Sequence, residues 1–337
     1  MNRRTSLLAL AALATLGCGL RAHAQDLPER EGQARFPQRP VRLVIPYAPG
    51  GLPDAVARRV MAAAAPALGQ ALVADNRPGA GGIAGTDAVA HGAADGHLLL
   101  VTDGSQITVN PHIYASLPYD PVRDLAPVTL LGASPLFLAV STDARGVLGE
   151  ARTLADLVRL ARTRPGIPYG SSGTGSTVHL AVEAFRAAAD IPLEHIPFKG
   201  SGPALQALLA GDTALAMVAW SSVASHVAAG RLRLLGVSAP RRASLAPTVP
   251  TFIEQGYADF DFQPRIGVMA PAGTPLAVRE RLAALLGGAA RDPAVRESLA
   301  ALGIEAVGST PAEYAAVLAE ETVRFARVVK AVGLKAN

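Results

Sequence analysis

The chain has 337 residues, with 31 Lys and Arg against 27 Asp and Glu and a formal net charge of +4 at pH 7. Half of the residues are hydrophobic and 4% are aromatic, and no basic run is interleaved with aromatics, which argues against nucleic-acid binding. A chain of this length is too long for one core, so we expect two domains.

The first 24 residues have the pattern of a signal peptide. Arg3 and Arg4 precede an uncharged, mostly apolar stretch at 7–20, and a small-x-small cleavage site ends at Ala24. This stretch is shorter than the roughly 20 residues that span a bilayer. We therefore predict export to the periplasm, with cleavage near Ala24.

Cleavage changes the chemistry of the chain. It removes three bases and no acid, which leaves 28 bases against 27 acids, and it removes Cys18, the only cysteine. The mature protein is then predicted to have no disulfide, thiol nucleophile or cysteine metal site. A lipidated Cys18 and a twin-arginine signal at Arg3 and Arg4 stay open as alternatives.

Strands and helices alternate from residue 41 onward. Strands are predicted at 41–46, 71–75 and 98–102, with helices at 54–68 and 83–92 between them. This β-α-β-α-β order favours a parallel, doubly wound sheet that binds ligands at the carboxyl ends of its strands.

The small residues at 132–135, between strands predicted at 125–131 and 136–141, indicate a crossover into a second domain. There the alternation restarts, with helices at 154–163, 177–188, 202–210 and 222–229 and strands at 167–169, 193–198, 215–218 and 234–238.

A second crossover is predicted near 261–265. It leads to a strand at 266–270 and to helices that open at prolines, at 275–288, 293–302 and 311–331. We therefore predict an α/β protein of two doubly wound domains joined by a two-strand hinge. Residues 25–132 and 265–337 would form domain 1, and 133–264 domain 2.

Two turns rich in small residues, 48–54 and 171–176, each follow a strand and open a helix. Backbone N–H groups at a helix start suit a bound anion, so the two turns predict two halves of one site. In the first turn the candidate donors are the amides of Gly50, Gly51 and Leu52, whereas Asp54 is interpreted as ordering the loop. In the second turn the candidates are Ser171, Ser172, Gly173, Thr174 and Ser176.

Two further loops point into the same crevice if the sheets are parallel. Asp103 either receives an ammonium or hydroxyl group of a ligand or caps the segment that follows, and Ser105 lies beside it. Lys199 is either a charge partner for an anion or a solvated loop lysine. Trp220 is either core or a wall of the cleft.

Three competing functions find less support. The run at 79–84 matches the dinucleotide fingerprint, but three residues separate it from the preceding strand. The histidines lack metal-ligand spacing. A hydrolase would have to pair Ser171 or Ser172 with His179, and no third member is evident. We predict no cofactor, no metal and no enzymatic activity.

Several segments in order along the chain resemble the Bug receptors, the extracytoplasmic solute-binding components of tripartite tricarboxylate transporters. The opening Arg39-Pro40-Val41-Arg42-Leu43-Val44-Ile45-Pro46-Tyr47-Ala48-Pro49-Gly50-Gly51 carries the resemblance most clearly. Further similar segments are 75–82, 95–97, 169–179, 197–200, 249–256 and 270–275.

The resemblance implies a type II periplasmic-binding-protein fold that holds a small carboxylate in a cleft between two domains. The loop from Ala48 to Asp54 and the loop 171–176 would contact the ligand, with support from Ser105 and Lys199, and 76–82 would be a structural turn. Two residues depart from the family pattern. Pro53 stands where a hydroxyl residue is often found and supplies no side-chain donor to the ligand. Asp103 stands where small neutral residues are common, so the ligand is predicted to be more than a bare dicarboxylate.

The partners implied are the membrane permease subunits of such a transporter, and the receptor is expected to be a monomer. A periplasmic sensor that reports ligand occupancy to a signalling partner stays open as an alternative.

Overall fold

The computed structural model describes residues 36–143, 148–198 and 200–335. The predicted signal peptide with its cleavage site, Cys18 and Lys199 lie outside these residues. Residues 37–337 belong to one compact unit. Within the described ranges, no helix is both long and apolar enough to cross a membrane.

Strands and helices alternate much as the sequence predicts. In chain order, the elements are β1 (Val41–Ile45), α1 (Leu52–Leu68), β2 (Leu72–Asn76), α2 (Ile83–Ala90), β3 (Leu98–Thr102), α3 (Ser105–Thr108), α4 (Asn110–Ile113), β4 (Leu125–Ala133), β5 (Leu136–Ser141), α5 (Leu154–Arg162), β6 (Ile167–Ser171), α6 (Thr177–Ala189), β7 (Leu193–Pro197), α7 (Ser201–Ala210), β8 (Leu215–Ala219), α8 (Trp220–Ala228), β9 (Leu232–Ser238), β10 (Arg265–Pro271), α9 (Leu276–Arg291), α10 (Pro293–Ala300), β11 (Glu305–Ala306) and α11 (Pro311–Val332).

The strands form two sheets. One has the order β11-β4-β10-β3-β1-β2, and the other has the order β7-β6-β8-β5-β9. We call the first sheet with helices α1 to α4 and α9 to α11 the first lobe, and the second sheet with helices α5 to α8 the second lobe. The chain crosses between the lobes after Ala133 and returns at Arg265, close to the predicted crossovers.

Both sheets are mixed, which corrects the prediction of parallel sheets in one respect. β1 is parallel to β2 and β3, and β6 is parallel to β7 and β8. The crossing strands run the other way, since β10 is antiparallel to β3 and β4 and β5 is antiparallel to β8 and β9. As a result, the carboxyl ends of β1, β3, β6 and β8 all lie toward the crossings between the lobes.

Local sequence explains the helix boundaries. α1 has Gly51 at its N-cap and a proline within its first two positions, and it ends at Gly69, which takes a left-handed conformation (φ 71°) that glycine adopts without strain. Capping boxes begin two other helices, from Thr153 to Asp156 at α5 and from Thr310 to Glu313 at α11.

One apolar cluster joins the two lobes beside the crossings. It contains Leu138 and Tyr169 of the second sheet, Ile113 of α4, and Phe325 and Val329 of α11, all buried. The C-terminal helix of the first lobe therefore packs into the core of the second lobe.

Candidate ligand-binding site

Asp54 organises the turn between β1 and α1. Its side chain is 3% exposed. It accepts hydrogen bonds from the N–H of Gly50 (2.9 Å), Nδ2 of Asn76 (3.0 Å) and Nε of Arg58 (2.9 Å). Burial alone would raise the pKa of this carboxyl, but the hydrogen bonds from Arg58, Gly50 and Asn76 outweigh it and hold the pKa below its usual range. Asp54 thus orders the turn, as the sequence interpretation proposed.

Two of the three amides predicted as ligand donors are used inside this turn. The N–H of Gly50 donates to Asp54, and that of Gly51 donates to the carbonyl of Ala48 over a long 3.3 Å. Leu52 stands at the first position of α1, where a helix leaves its amides without internal acceptors. The first turn therefore offers the Leu52 amide more readily than those of the two glycines.

Asp103 ties the loop after β3 to the first turn. Its Oδ1 accepts hydrogen bonds from the Tyr47 hydroxyl (2.6 Å) and from the amide (3.0 Å) and hydroxyl (2.7 Å) of Ser105. The Tyr47 hydroxyl also lies 3.0 Å from Oε1 of Gln106. Burial, followed by the charge of Asp103, raises the pKa of Tyr47 well above its ordinary value. Asp103 thus accepts hydrogen bonds from Ser105, the first residue of α3.

Ser176 begins α6 and closes the second turn. Its hydroxyl accepts from the N–H of His179 at 3.3 Å and donates to the carbonyl of Gly173 at 2.7 Å. Thr174 is exposed, and Ser172 is partly exposed. Because Ser176 is occupied as the helix cap, Ser172 and Thr174 carry the hydroxyls of this turn that are best placed to meet a ligand.

Ser171 pairs with His195, which the sequence interpretation did not single out. The Ser171 hydroxyl is 2.6 Å from Nε2 of His195, and Ser171 is 1% exposed. His179 instead accepts a hydrogen bond through Nδ1 from the N–H of Gly175, at 3.0 Å. The pairing of Ser171 with His179 considered for a hydrolase is therefore wrong, and the serine of the observed pair is closed to solvent.

The rings of His179 and His195 stack beneath the second turn. Their centroids are 3.7 Å apart and their planes differ by 12°, and the Tyr169 ring lies 5.1 Å from His195. Burial, with a smaller contribution from the charge of His195, lowers the pKa of His179 to about 4, and burial also lowers the pKa of His195. Two neutral imidazoles thus support the turn at neutral pH.

A small pocket at the second turn adds two serines that are not among the predicted site residues. Ser171 and Ser172 line it together with Ser201 at the start of α7 and Ser222 in the first turn of α8. Its volume of about 10 Å³ holds about one water molecule. Ser201 and Ser222 follow β7 and β8. Ser201 is close to Lys199 in the sequence, in a loop that the sequence predicts to point into the crevice, and the rule that ligands bind at the carboxyl ends of parallel strands applies to Ser222.

The second turn touches the first lobe at Gly175. A Cβ added there would lie 2.2 Å from Cδ1 of Ile113 in α4, and the glycine has φ +78°. Only a residue without a side chain permits both this backbone conformation and this approach. Gly175 therefore sets how closely the two lobes meet at the candidate site.

Replacing Gly175 by Ala is expected to lower the free energy of unfolding by about 2–3 kcal/mol, because strain from the left-handed backbone adds to the contact with Ile113. The double variant Gly175→Ala with Ile113→Val should recover part of this loss, since valine lacks Cδ1. Gly211→Ala is the matched control, because Gly211 has a similar φ of +83° but nothing within 4 Å of an added Cβ. Urea denaturation measures all three, and equal losses for Gly211→Ala and Gly175→Ala would contradict the prediction.

The glycine run that matched the dinucleotide fingerprint packs against the first lobe's own side chains. The carbonyl of Gly81 accepts hydrogen bonds from Gln106 (3.1 Å) and Asn110 (3.2 Å), and a Cβ on Gly82 would lie 2.6 Å from the Gln106 amide. The run thus serves as a close-packed turn. Among the described residues, no group of three or more His, Cys, Asp or Glu side chains is arranged to hold a metal ion.

Two α/β lobes are linked by two crossings, and turns at the carboxyl ends of their parallel strands face the region between them. This is the architecture of a two-lobed periplasmic solute-binding protein. The chain belongs to the tripartite tricarboxylate transporter receptor family (TctC), whose family model matches residues 56–334.

Relatives with names or bound ligands support this assignment. Protein BugT of Bordetella pertussis is 36% identical over 302 residues, covering 89% of this chain and 91% of BugT. The structure of R. palustris Rpa4515 with adipate is 30% identical with a TM-score of 0.80, covering 89% of this chain and 99% of that one. The structure of MatC from Rhodopseudomonas palustris with bound malate is also 30% identical, with a TM-score of 0.75, covering 87% of this chain and 100% of that one.

The resemblance to Bug receptors and the predicted α/β fold of two doubly wound lobes are therefore confirmed. The chain is a member of a solute-binding receptor family that serves tripartite transporters, and proteins of similar structure are periplasmic.

Proposed function

We propose that this receptor captures a small carboxylate between the turns 48–54 and 171–176 and delivers it to the permease subunits of a tripartite transporter. The observation that supports this most directly is the second turn, where Ser172 and Thr174 leave neutral donors at the start of α6. The relatives whose structures hold adipate and malate make small dicarboxylates the first ligands to test. The protein acts from the periplasm as a monomer and catalyses no reaction.

The proposal divides the roles among the predicted site residues. The Leu52 amide and the Ser172 and Thr174 hydroxyls would touch the ligand. Asp54, Asp103, Ser105, Ser171 and Ser176 would shape the two turns from behind. The domains would comprise 25–132 with 265–337, and 133–264, so that rotation about the crossings brings the two sets of donors together and strengthens their bonds by excluding water.

Isothermal titration calorimetry with adipate, malate, other dicarboxylates and amino acids tests the proposal. We expect at least one carboxylate to bind, and Ser172→Ala to raise its Kd by about 10-fold or more, because a hydrogen bond to a charged group contributes about 1.5–3 kcal/mol. Ser225→Ala, at an exposed position further along α8, is the matched control and should leave Kd unchanged. Failure of the whole panel to bind, or equal effects of the two variants, would count against this site.

A hydrolase is the less favoured function because of the burial of Ser171. A nucleophile must reach its substrate, and the only serine paired with a histidine among the residues described at this turn is 1% exposed. Ester hydrolysis that disappears in Ser171→Ala but survives in Ser172→Ala would reverse this conclusion.

A further inference from the structure

A second cavity lies between the lobes, away from the two turns. Its volume is about 700 Å³, within the range of about 300–1,000 Å³ typical of small-molecule sites. The first lobe contributes the end of α10 and β11, and the second lobe contributes the segment 239–245 that follows β9. We call this cavity the rear groove.

The rear groove is lined by both apolar and basic residues. Trp220 and the exposed Leu245 and Val307 are among the apolar residues, and Arg241 and Arg296 are among the arginines. Arg241 forms an ion pair with Glu305, which also lines the groove. Arg296 is exposed, and within the described part of the chain it has no ion-pair partner. The lining therefore combines apolar surface with one uncompensated guanidinium, a group suited to a carboxylate or similar anion.

The walls of the rear groove belong to different lobes and touch each other. A Cβ added to Gly303 of the first lobe would lie 2.6 Å from Cβ of Trp220 in the second lobe. The ion pair between Arg241 and Glu305 also joins the lobes, because Glu305 is in β11 and Arg241 follows β9. Any rotation of one lobe against the other must change these contacts.

The order of the strands places the rear groove opposite the candidate cleft. In the first sheet, β4 and β10 separate β11 from β3 and β1, and in the second sheet, β5 separates β9 from β8 and β6. The two turns lie on the β1 and β6 side of these crossing strands, and β11 and the segment after β9 lie on the other side. A rotation about the crossings that brings the turns together therefore draws the walls of the rear groove apart.

We propose that the rear groove is a second binding site, for an organic anion with an apolar body, and that filling it favours closure of the carboxylate cleft. Arg296 holds the anionic group, and Trp220 and Leu245 contact the apolar body. The binding part of this proposal stands without the proposed function, whereas the link to closure rests on it. The link is reciprocal, so an occupant of the rear groove raises the affinity of the cleft.

Trp220, the only tryptophan in the chain, lines the rear groove, so its fluorescence should respond to an occupant there. Octanoate supplies an apolar body with a carboxylate, acetate supplies the carboxylate alone, and neither absorbs where tryptophan emits. We expect octanoate to shift the emission saturably, acetate to leave it unchanged, and Arg296→Gln to weaken octanoate about 10-fold. Arg281→Gln, at another exposed arginine on α9, is the matched control.

Three outcomes overturn the binding part: no change in Trp220 emission with octanoate, equal octanoate affinity in the two arginine variants, or loss of the signal in Ser172→Ala. The last would place octanoate in the carboxylate cleft instead.

Placing a larger side chain in the rear groove by mutation tests the link between its occupancy and closure of the cleft. Ala300 is exposed at the end of α10 and lines the groove, so Ala300→Phe should tighten the best-binding dicarboxylate of the calorimetric panel about 5-fold. Ala277→Phe, at an exposed position on α9, should have no effect. An unchanged or lower affinity in Ala300→Phe overturns the link. If no panel member binds the wild-type protein, the link fails together with the proposed function, while the octanoate result still decides the binding part.

Discussion

Replacing Arg265 by Met is expected to lower the free energy of unfolding by about 3–5 kcal/mol, the range typical of removing one partner from a buried ion pair. Arg265 begins β10 at the return crossing, and its side chain is 14% exposed. It forms ion pairs with Asp261 at 2.6 Å and with Glu321 of α11, whose side chain is 3% exposed. Arg324 of α11 donates a hydrogen bond to the carbonyl of Asp261 at 2.8 Å. Removing Arg265 leaves Glu321 buried without its main partner.

The decrease in the free energy of unfolding caused by Arg265→Met should also become larger as the pH rises. Burial raises the pKa of Glu321 to about 7 even beside Arg265, and without the guanidinium the carboxyl holds its proton more strongly still. An acid whose pKa is higher in the folded state than in the unfolded state destabilises the fold above its unfolded pKa, about 4.5 here. The deficit of the variant is therefore expected to be larger at pH 8 than at pH 5.

Chemical denaturation at both pH values measures these effects. Arg265→Met combined with Glu321→Gln should recover part of the stability at pH 8, because the buried charge of Glu321 is then removed, while Asp261 keeps its ion pair with Arg324 at 3.6 Å. Arg242→Met is the matched control, since its ion pair with Glu254 is 45% exposed on both sides and such pairs contribute at most about 1 kcal/mol. Equal losses for Arg265→Met and Arg242→Met would contradict this account of the crossing.

Between pH 6.5 and pH 4, protonation of His179 is expected to remove about 3 kcal/mol of stability. Unfolded His179 titrates near 6.5 and folded His179 near 4, so the unfolded state binds more protons in this window. Stability then falls as the pH falls, by up to about 1.4 kcal/mol per pH unit for each histidine. Protonation of Nδ1 of His179 would also remove its hydrogen bond from Gly175, so the second turn should loosen in the same window.

Several groups around the pair affect its titration. Glu183 raises the pKa of both histidines, and the guanidinium of Arg186 lowers that of His179. Glu183 is itself held by the Tyr169 hydroxyl at 2.6 Å and by Arg186 at 2.9 Å. Because these contacts compensate the negative charge of Glu183, that charge does not offset the lowering of the histidine pKa values by burial.

His179→Asn isolates the contribution of this ring, because the asparagine oxygen can accept the Gly175 hydrogen bond without titrating. We expect the variant to have a shallower decline in unfolding free energy between pH 6.5 and pH 4 than the wild-type protein. His91→Asn replaces a histidine whose side chain is 58% exposed and should leave the slope unchanged. An identical pH profile for wild-type protein and His179→Asn would refute the assignment.

Strand and helix positions followed from the sequence because each depends on local pattern. The apolar run of β3 and the glycine-rich turn before α1 predict their elements without knowledge of the rest of the chain. The direction of a strand was harder to predict than its position, because the apolar sequence at 265–271 is compatible with a strand either parallel or antiparallel to β3. The short α3, α4 and β11 were missed because two to four residues give too little periodicity.

In the candidate site too, features that depend on local sequence could be predicted, whereas features that depend on the path of the backbone or on distant residues could not. The sequence interpretation that Asp54 orders its turn agrees with its hydrogen bonds from Gly50 and Asn76, because a carboxylate at a helix start can accept from nearby backbone amides. The use of the Gly50 and Gly51 amides within the turn could not be predicted, since it depends on the path of the backbone. His195 was missed because its partner, Ser171, is on a neighbouring strand, and no spacing along the chain reveals that they meet.

The insertion of β10 between β4 and β3 has a consequence for how the chain folds during synthesis. β4 ends at Ala133, and its partner β10 begins at Arg265. At about 5–20 residues per second, the ribosome needs roughly 7 to 26 seconds to make the intervening chain. Throughout that interval, one edge of β3 and one edge of β4 have no pairing partner, because β10 has not yet been synthesised. The elements of the second lobe are made entirely within this interval, but Phe325 and Val329, which belong to its apolar core, are made last. Any factor that shields unpaired strand edges should therefore act on the segment 98–133.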